Sequence, residues 1–133
     1  LESRGIAKKV IEARRQKPFK TVADFLKLFP KKTFGKVHPA TKAFMDLRIA
    51  VNMELSVVTE AIPKALGLLK SGGVLAIISF HSGEDRVVKH LFSEFIEKGG
   101  FELVTDKPIV PKIPEVEKNP KSRSAKLRVI RKK

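Results

Sequence analysis

The sequence predicts an α/β fold, specifically half of a doubly wound one. A near-continuous apolar run at residues 74–80 follows a Gly-Gly pair, a pattern typical of a parallel strand that is buried on both faces. Helical patterns precede and follow this run, as in an α/β crossover unit. Residues 101–104 and 126–130 resemble two further strands, and we expect them to form a closing hairpin.

The composition limits the class of protein. A chain of 133 residues is one domain's worth, and without cysteine it has neither disulfides nor thiolate metal sites. The absence of cysteine favours a cytoplasmic setting. The apolar runs are far shorter than the roughly 20 residues that span a bilayer, so no membrane segment is expected. The first residue is Leu1, within a helical pattern, which suggests a piece of a longer polypeptide.

The charge is concentrated at the two ends of the chain. Of the net charge of +14, residues 1–42 contribute +9 and residues 105–133 contribute +7, whereas the middle is close to neutral at −2. Basic margins around a packed domain favour a polyanion such as nucleic acid, because neutralising phosphates releases counterions. The alternative is a lysine-rich surface that only keeps the protein soluble.

Helices account for the first half of the chain. Residues 3–15 place Ile6, Val10 and Ile11 on one face of an amphipathic helix. Thr21 and Asp24 have the spacing of a capping box, which predicts a short helix ended by Pro30. A basic loop is expected at residues 31–37.

A long helix is expected from His38-Pro39 onward, with a kink at Pro63. Its apolar stripe consists of Phe44, Leu47, Val51, Leu55, Val58 and Ile62. A second stripe carries short polar side chains around one arginine: Thr41, Arg48, Asn52, Ser56 and Thr59. This polar stripe suits contact with a ligand, although a polar helix–helix interface explains it equally well.

The segment ISFHSGEDR, residues 78–86, turns a strand into a helix at the edge where open α/β sheets bind ligands. Ser82 and Asp85 have the spacing of an N-cap pair, which favours a structural role for both. His81 has no such local role and is the better site candidate. The three histidines, His38, His81 and His90, lack metal-ligand spacing, so no metal site is predicted.

The glycines at 72 and 73 precede a strand rather than follow one. Phosphate-binding glycines lie between a strand and the next helix. We therefore interpret Gly72 and Gly73 as a helix C-cap, and no glycine-rich cofactor loop is identified elsewhere in the chain.

Three blocks of the sequence resemble a known family. They read HPATKAFMDLRIAVNMEL (residues 38–55), LLKSGGVLAIISFHSGEDRVVK (68–89) and NPKSRSAKLRVIR (119–131). These blocks are similar to signatures of the bacterial 16S ribosomal RNA cytosine-N4 methyltransferases, the RsmH/MraW type. RGIAKKVIEAR (residues 4–14) resembles the helical insert of that family.

The resemblance implies the carboxyl-terminal half of a class I, Rossmann-like methyltransferase fold. Residues 1–37 would belong to a helical insert and residues 38–133 to the catalytic domain. The family methylates the exocyclic N4 of a cytidine in the decoding region of 16S rRNA, using S-adenosylmethionine. Since its Gly-rich loop and acidic ribose contact lie upstream, we expect no cofactor-binding residue in this chain. The amino-terminal half would be part of a longer protein or a separate piece.

The resemblance also directs attention to particular residues. Catalytic candidates are His81 and Ser82, and candidate contacts to the rRNA partner are Lys42, Arg48, Asn52, Arg86, Arg123, Lys126, Arg128 and Arg131. For the arginines near the carboxyl end, a solvated basic tail is an equal alternative. The chain departs from the family at Lys42, Met45 and Gly83, where arginine, glutamine and leucine are usual. A glycine at 83 weakens the first helical turn.

Two other functions remain open. The chain would be a non-catalytic, basic RNA-binding fragment if no cofactor half joins it. A basic structural protein of the ribosome is a third possibility, disfavoured by the buried crossover unit. Titration with S-adenosylmethionine tests the expected upstream location of the cofactor site, because micromolar binding by these residues alone would contradict it.

Overall fold

The computed structural model describes residues 2–30 and 38–133, so the predicted basic loop at residues 31–37 lies outside the described residues. The described chain divides into two compact units, Leu1–Asn52 and Met53–Lys133. None of the helices in the described ranges is long and apolar enough to cross a membrane.

The first unit is helical, with α1 at Glu2–Gln16, α2 at Val22–Leu26 and α3 at Ala40–Asn52. Its core surrounds Phe25, whose ring centroid lies 5.7 Å from that of Phe19, 5.4 Å from Phe29 and 5.1 Å from Phe44. Such aromatic clusters let a small helical unit bury much apolar area with few residues.

The predicted capping box of α2 is confirmed. Thr21 Oγ1 accepts from the Asp24 backbone N–H at 3.2 Å, and an Asp24 carboxylate oxygen accepts from the Thr21 N–H at 3.2 Å. Hydrogen bonds from Lys27 and Thr21 lower the pKa of Asp24 to about 2. The helix ends at Leu26, somewhat before Pro30.

The long helix predicted after His38-Pro39 is two helices. Met53 has a left-handed backbone with φ of 52°, and α4 begins immediately afterwards as Glu54–Leu68. Pro63, where a kink was expected, lies inside α4. The two stripes predicted along one helix are therefore divided between α3 and α4. The physical reason is that a single residue with positive φ stops a helix, whatever the apolar spacing on either side.

The second unit contains a sheet of three strands in the order β1-β3-β2. The strands are β1 at Val74–Ser79, β2 at Phe101–Leu103 and β3 at Lys126–Lys132, and β3 runs antiparallel to both neighbours. The pairing of β1 among the described strands is antiparallel, whereas the parallel partners predicted for β1 were expected mainly outside this chain and stay a prediction. The expected terminal hairpin is confirmed, with Phe101 opposite Lys132 and Leu103 opposite Ile130.

Helix α5, Ser82–Glu97, connects β1 to β2 and packs with α4 on one face of the sheet. The core on that face contains Ile62 and Leu66 of α4, Val88 and Phe92 of α5, and Ile130 of β3. Leu75 and Ile77 of β1 point into it.

The other face of β1 is open. Val74 and Ile78 are 47% and 59% exposed, and Ala76 between them is exposed too. The expectation that β1 is covered on both faces is therefore not met within the described residues. A continuous apolar run does not reveal how many faces its own chain covers.

The Gly-Gly pair makes a turn that ties α4 to the sheet. Gly72 has φ of 77°, and its N–H donates to Lys132 O at 2.8 Å, while Gly73 N–H donates to Lys70 O at 2.9 Å. The C-cap of α4 is Leu69 rather than a glycine, and Lys132 Nζ donates to its carbonyl at 2.8 Å. The long connection from β2 to β3 carries α6 at Ile113–Lys118 and a 3-10 helix at Pro120–Ser124.

Candidate functional site

The turn after β1 is fixed by a reciprocal pair of side chains. His81 is the N-cap of α5, and its Nδ1 accepts from the Glu84 backbone N–H at 3.2 Å. Glu84 Oε2 in turn accepts from the N–H groups of Phe80 at 3.0 Å and His81 at 3.3 Å. This is a capping box in which an imidazole replaces the usual hydroxyl.

The predicted N-cap, Ser82, is instead the first residue of α5 and is exposed. Both the pair Ser82–Asp85 and the pair His81–Glu84 have a spacing of three, so the sequence allows either frame. The extended backbone of His81, with φ of −137° and ψ of 160°, decides between them. His81 therefore has the local structural role that its sequence context did not reveal.

The second nitrogen of His81 faces two carboxylates. Its Nε2 lies 3.4 Å from Glu84 Oε1 and 3.6 Å from Glu54 Oε2, and the side chain is only 10% exposed. Among the described residues, Nε2 is the buried side-chain polar atom that lacks a hydrogen-bond partner. Glu54 was missed at the level of sequence because it lies on another helix, at the start of α4, and its approach to His81 depends on tertiary packing.

Glu54, His81 and Glu84 offer ligand atoms within 4.8 Å of one another, a spacing compatible with a metal ion. The hydrogen bonding of the imidazole argues against that use. A ring whose Nδ1 accepts a hydrogen bond carries its hydrogen on Nε2, and a metal ligand needs a free lone pair there. The arrangement instead directs one N–H donor toward two carboxylate acceptors.

Asp85 connects α5 to the central strand. Its carboxylate accepts from Arg128 Nε at 2.7 Å and from Lys126 Nζ at 3.0 Å, and the residue is buried. The hydrogen bond from Arg128, supported by that from Lys126, lowers the pKa of Asp85 against the opposing effect of burial. Asp85 therefore has a structural role, as predicted, but not as part of a helix cap. It forms ion pairs that link α5 to β3.

This ion pair bears on two candidate RNA contacts. The Arg128 side chain is 13% exposed and the Lys126 side chain 40%, and both point at Asp85. Arg131 is more exposed and lies 3.6 Å from Glu102. Arg86 and Arg123 are exposed on α5 and the 3-10 helix.

The remaining candidates belong to the first unit. Lys42, Arg48 and Asn52 are exposed on α3. Lys42 lines a mainly apolar groove of about 410 Å³ between α1 and α3, together with Ile6, Val10 and Leu47. The predicted RNA contacts are therefore divided between the two units, and within the second unit Lys126 and Arg131 lie at opposite ends of β3.

The Gly72-Gly73 turn does not have the open N–H groups of a phosphate-binding loop. The N–H groups of Gly72 and Gly73 already donate within their turn, so this pair has no donors to offer a nucleotide or nucleoside. A side chain at 73 would also meet Lys70 O at 2.8 Å, which identifies close packing as the reason for that glycine.

Comparison with known proteins gives the chain a family. Residues 2–133 match the MraW methylase family. The chain belongs to this family. The resemblance identified in the sequence is thereby confirmed, and the mixed helix–strand architecture is that of an α/β methyltransferase family member.

Individual relatives of this MraW chain carry the name Ribosomal RNA small subunit methyltransferase H. The protein from Leptospira interrogans serovar copenhageni is 45% identical over 98% of this chain and 40% of its own length. Those from Persephonella marina and Coprothermobacter proteolyticus are 42% and 46% identical, over 97% and 98% of this chain. The chain spans 46% and 44% of these two relatives, less than half of each.

Proposed function

We propose that this chain is the carboxyl-terminal part of an enzyme that methylates the exocyclic N4 of a cytidine in the decoding region of 16S rRNA. The observation that carries the proposal is the match to the MraW methylase family over residues 2–133, with relatives named for small-subunit rRNA methylation. The basic ends of the chain, at a total net charge of +14, suit an RNA substrate. Such an enzyme would work in the cytoplasm, where its substrate is.

The division of labour follows from what the chain contains. S-adenosylmethionine would supply the electrophilic methyl group when bound by the upstream half, present in a longer polypeptide or as a second piece. Residues 1–37 would form part of the helical insert and residues 38–133 the carboxyl-terminal half of the catalytic domain. The hydrogen-bonded Gly72-Gly73 turn supports the view that this chain adds no cofactor loop of its own.

Within this reaction, the chain's task is to hold and orient the target nucleotide. The N4 lone pair of cytosine is delocalised into the ring, so the amine reacts only when extruded from its stack and well aligned. His81 remains the candidate at the strand end, but its Nδ1 caps α5 and its Nε2 is buried. We assign it to shaping the turn, while the exposed Ser82 hydroxyl and the carbonyls near Phe80 are left for substrate contact.

The proposed rRNA contacts differ in what they can do. Arg86 and Arg123 are exposed and suit phosphates directly, as do Lys42, Arg48 and Asn52 in the first unit. Lys126 and Arg128 are held by Asp85, so we assign them to fixing α5 on β3 and to a local positive potential. Arg131, near Glu102, stays an RNA candidate.

A second function, a non-catalytic RNA-binding fragment, is favoured by one observation. The chain covers only 40–46% of the relatives compared above. Such a fragment would bind small-subunit RNA without methylating it.

Reconstitution tests the choice. The chain is mixed with unmethylated small ribosomal subunits and radiolabelled S-adenosylmethionine, with and without the amino-terminal part of the Persephonella marina relative as a separate polypeptide. We expect label at a cytidine N4 only when both parts are present. Binding of the RNA without label in either mixture would favour the non-catalytic fragment. Micromolar binding of S-adenosylmethionine by the chain alone, measured by isothermal titration, would contradict the upstream location of the cofactor site.

A further inference from the structure

Phe80 differs from the other phenylalanines of the second unit. Phe92 is 1% exposed in the core, and the rings of Phe95 and Phe101 pack edge to face with centroids 5.6 Å apart. Phe80 is 55% exposed, and none of the ring pairs among the described residues includes it. Covering this exposed ring with a ligand would remove apolar surface from water, which favours binding.

The backbone that carries this ring is held firmly. Glu84 Oε2 accepts from the N–H groups of both Phe80 and His81, and the imidazole of His81 closes the same box by capping α5. Phe80 directly follows Ser79, which is 4% exposed and donates its hydroxyl to Lys126 O at 3.5 Å. An exposed ring on a fixed backbone loses little conformational entropy when it binds a partner.

Cations accompany the carboxylates of Glu84 and Asp85 at the same strand end. Ser79 is paired with Lys126 across the sheet, and Lys126 keeps 40% of its side chain exposed. Arg86 lies on the exposed side of the first turns of α5. Aromatic rings accompanied by cations are the combination that binds single-stranded nucleic acid, because bases stack on the ring while the cations attract phosphates.

We propose that Phe80 is a stacking platform for a pyrimidine base of single-stranded RNA. The inference rests on the proposed function in one respect, since it takes RNA as the ligand, and it adds the residue that holds the base. Stacking needs no base-specific hydrogen bond, so Phe80 would retain an extruded cytidine while other groups select it. Glu84 is then a positioning residue, which acts on the base only through the backbone of Phe80.

The test separates the contribution of the base to RNA affinity from that of the phosphates. Two short RNA strands are compared for binding to the 133-residue chain: one is wholly abasic, and the other carries a single cytidine among abasic sites. We expect the unaltered chain to bind the cytidine strand roughly 5- to 100-fold more tightly than the abasic strand. Phe80→Ala should abolish this preference and leave the affinity for the abasic strand unchanged, whereas Phe80→Trp should keep the preference.

Ile78→Ala is the matched control, because Ile78 is 59% exposed on the open face of the same strand and is not aromatic. It should keep the preference for cytidine, and circular dichroism should show each variant folded. The inference is overturned if the unaltered chain shows no preference, if Phe80→Ala retains it, or if Ile78→Ala loses it equally. A preference that depends on Phe80 without any methyl transfer in the reconstitution would refute the proposed function alone.

Discussion

His81 has both ring nitrogens turned toward the protein. Nδ1 accepts the Glu84 N–H, and Nε2 faces the carboxylates of Glu54 and Glu84. A histidine at the end of a strand in an α/β fold invites a catalytic interpretation, yet here its first role is to start a helix. The same polar turn, ISFHSGEDR, is thus a well-capped helix start whose exposed members, Phe80, Ser82 and Arg86, are available to a ligand.

Substitutions at the two adjacent positions separate the alternative caps. His81→Ala should lower the free energy of unfolding by about 1 kcal/mol, because the Glu84 N–H loses its acceptor, while His81→Asn should restore most of it. Ser82→Ala should change stability by less than about 0.5 kcal/mol, since Ser82 is exposed and already helical. Urea denaturation measures all three. An equal loss of stability for Ser82→Ala would indicate that Ser82 is the N-cap.

The Asp85–Arg128 pair makes the stability of the fold depend on pH. The lowered pKa of Asp85 means that its contribution is fully present above its unfolded pKa, near 3.9, and is lost as the pH falls through its folded pKa. Asp85→Asn should destabilise the chain by about 3 kcal/mol near neutral pH, since it leaves Arg128, whose side chain is only 13% exposed, without its anion.

Denaturation at neutral and acidic pH checks this expectation, and the difference between the variant and the unaltered chain should shrink below about pH 4. Glu102→Gln is the control, because Glu102 and Arg131 are both about half exposed and such pairs contribute at most about 1 kcal/mol. A pH-independent difference for Asp85→Asn would indicate that its carboxylate does not carry the effect.

At the scale of elements, the helices follow the sequence closely but their interruptions do not. The apolar spacing of residues 38–62 predicts helix, and nearly all of that segment is helical. The break at Met53 has no sequence signal, because methionine favours helices and neither glycine nor proline stands nearby. Pro63, the residue expected to break the helix, is accommodated inside α4.

A glycine at position 53 tests the break. The left-handed backbone of Met53 is strained for a residue with a side chain, and that side chain is 61% exposed, so Met53→Gly should stabilise the chain by up to about 1 kcal/mol. Ala61→Gly, in the exposed interior of α4, should cost about 1 kcal/mol. Thermal denaturation compares the two variants, and equal destabilisation would mean that position 53 is helical.

Gly83, in the first turn of α5, and Gly67, in α4, differ in the space that a side chain would find. A Cβ at position 83 would lie 3.1 Å from His81 Nδ1, whereas a Cβ at position 67 meets nothing within 4 Å. Gly67→Ala should therefore stabilise the chain by about 0.5 kcal/mol, and Gly83→Ala should gain nothing because it disturbs the cap. Chemical denaturation measures the stability of both variants. A clear increase in stability for Gly83→Ala would show that the His81 imidazole shifts without weakening the cap.

The sheet shows why sequence patterns stop short of topology. The strand at residues 74–79, the helix after it and the hairpin were all predicted, because each depends on local patterns of apolar residues. The insertion of β3 between β1 and β2 depends on pairing between residues far apart, such as Leu75 with Ile130. The same limit applies to the site, where Glu54 and the Asp85–Arg128 pair arise from tertiary contacts.

At the scale of the whole molecule, charge is the feature that the sequence predicts most directly. Basic ends around a near-neutral middle favour a polyanion without any knowledge of the fold. The fold then gives the cations different roles. Arg128 forms an ion pair with the buried Asp85, whereas Arg123 is exposed to solvent. Composition alone does not distinguish these roles.

The salt dependence of RNA binding shows which of these arginines contacts the RNA phosphates. Arg123→Gln should reduce the slope of log affinity against log salt by about 0.7 for single-stranded RNA, with stability unchanged. Arg128→Gln should lower stability and leave the slope nearly unaltered, because its guanidinium is engaged by Asp85. Filter binding at several salt concentrations gives the slopes, and the reverse assignment of effects would place Arg128 rather than Arg123 on the RNA.

The order β1-β3-β2 has a consequence for biogenesis. A ribosome makes β3 after both of the strands that it separates, so neither earlier strand has its neighbour while the nascent segment ends before residue 126. During that interval the core between the helices α4 and α5 and the sheet is incomplete, because Ile130 belongs to β3, the last strand to be made. Synthesis that stalls shortly before this point would leave the apolar residues of α4 and α5 that pack on Ile130 uncovered, and such exposed surface favours chaperone binding.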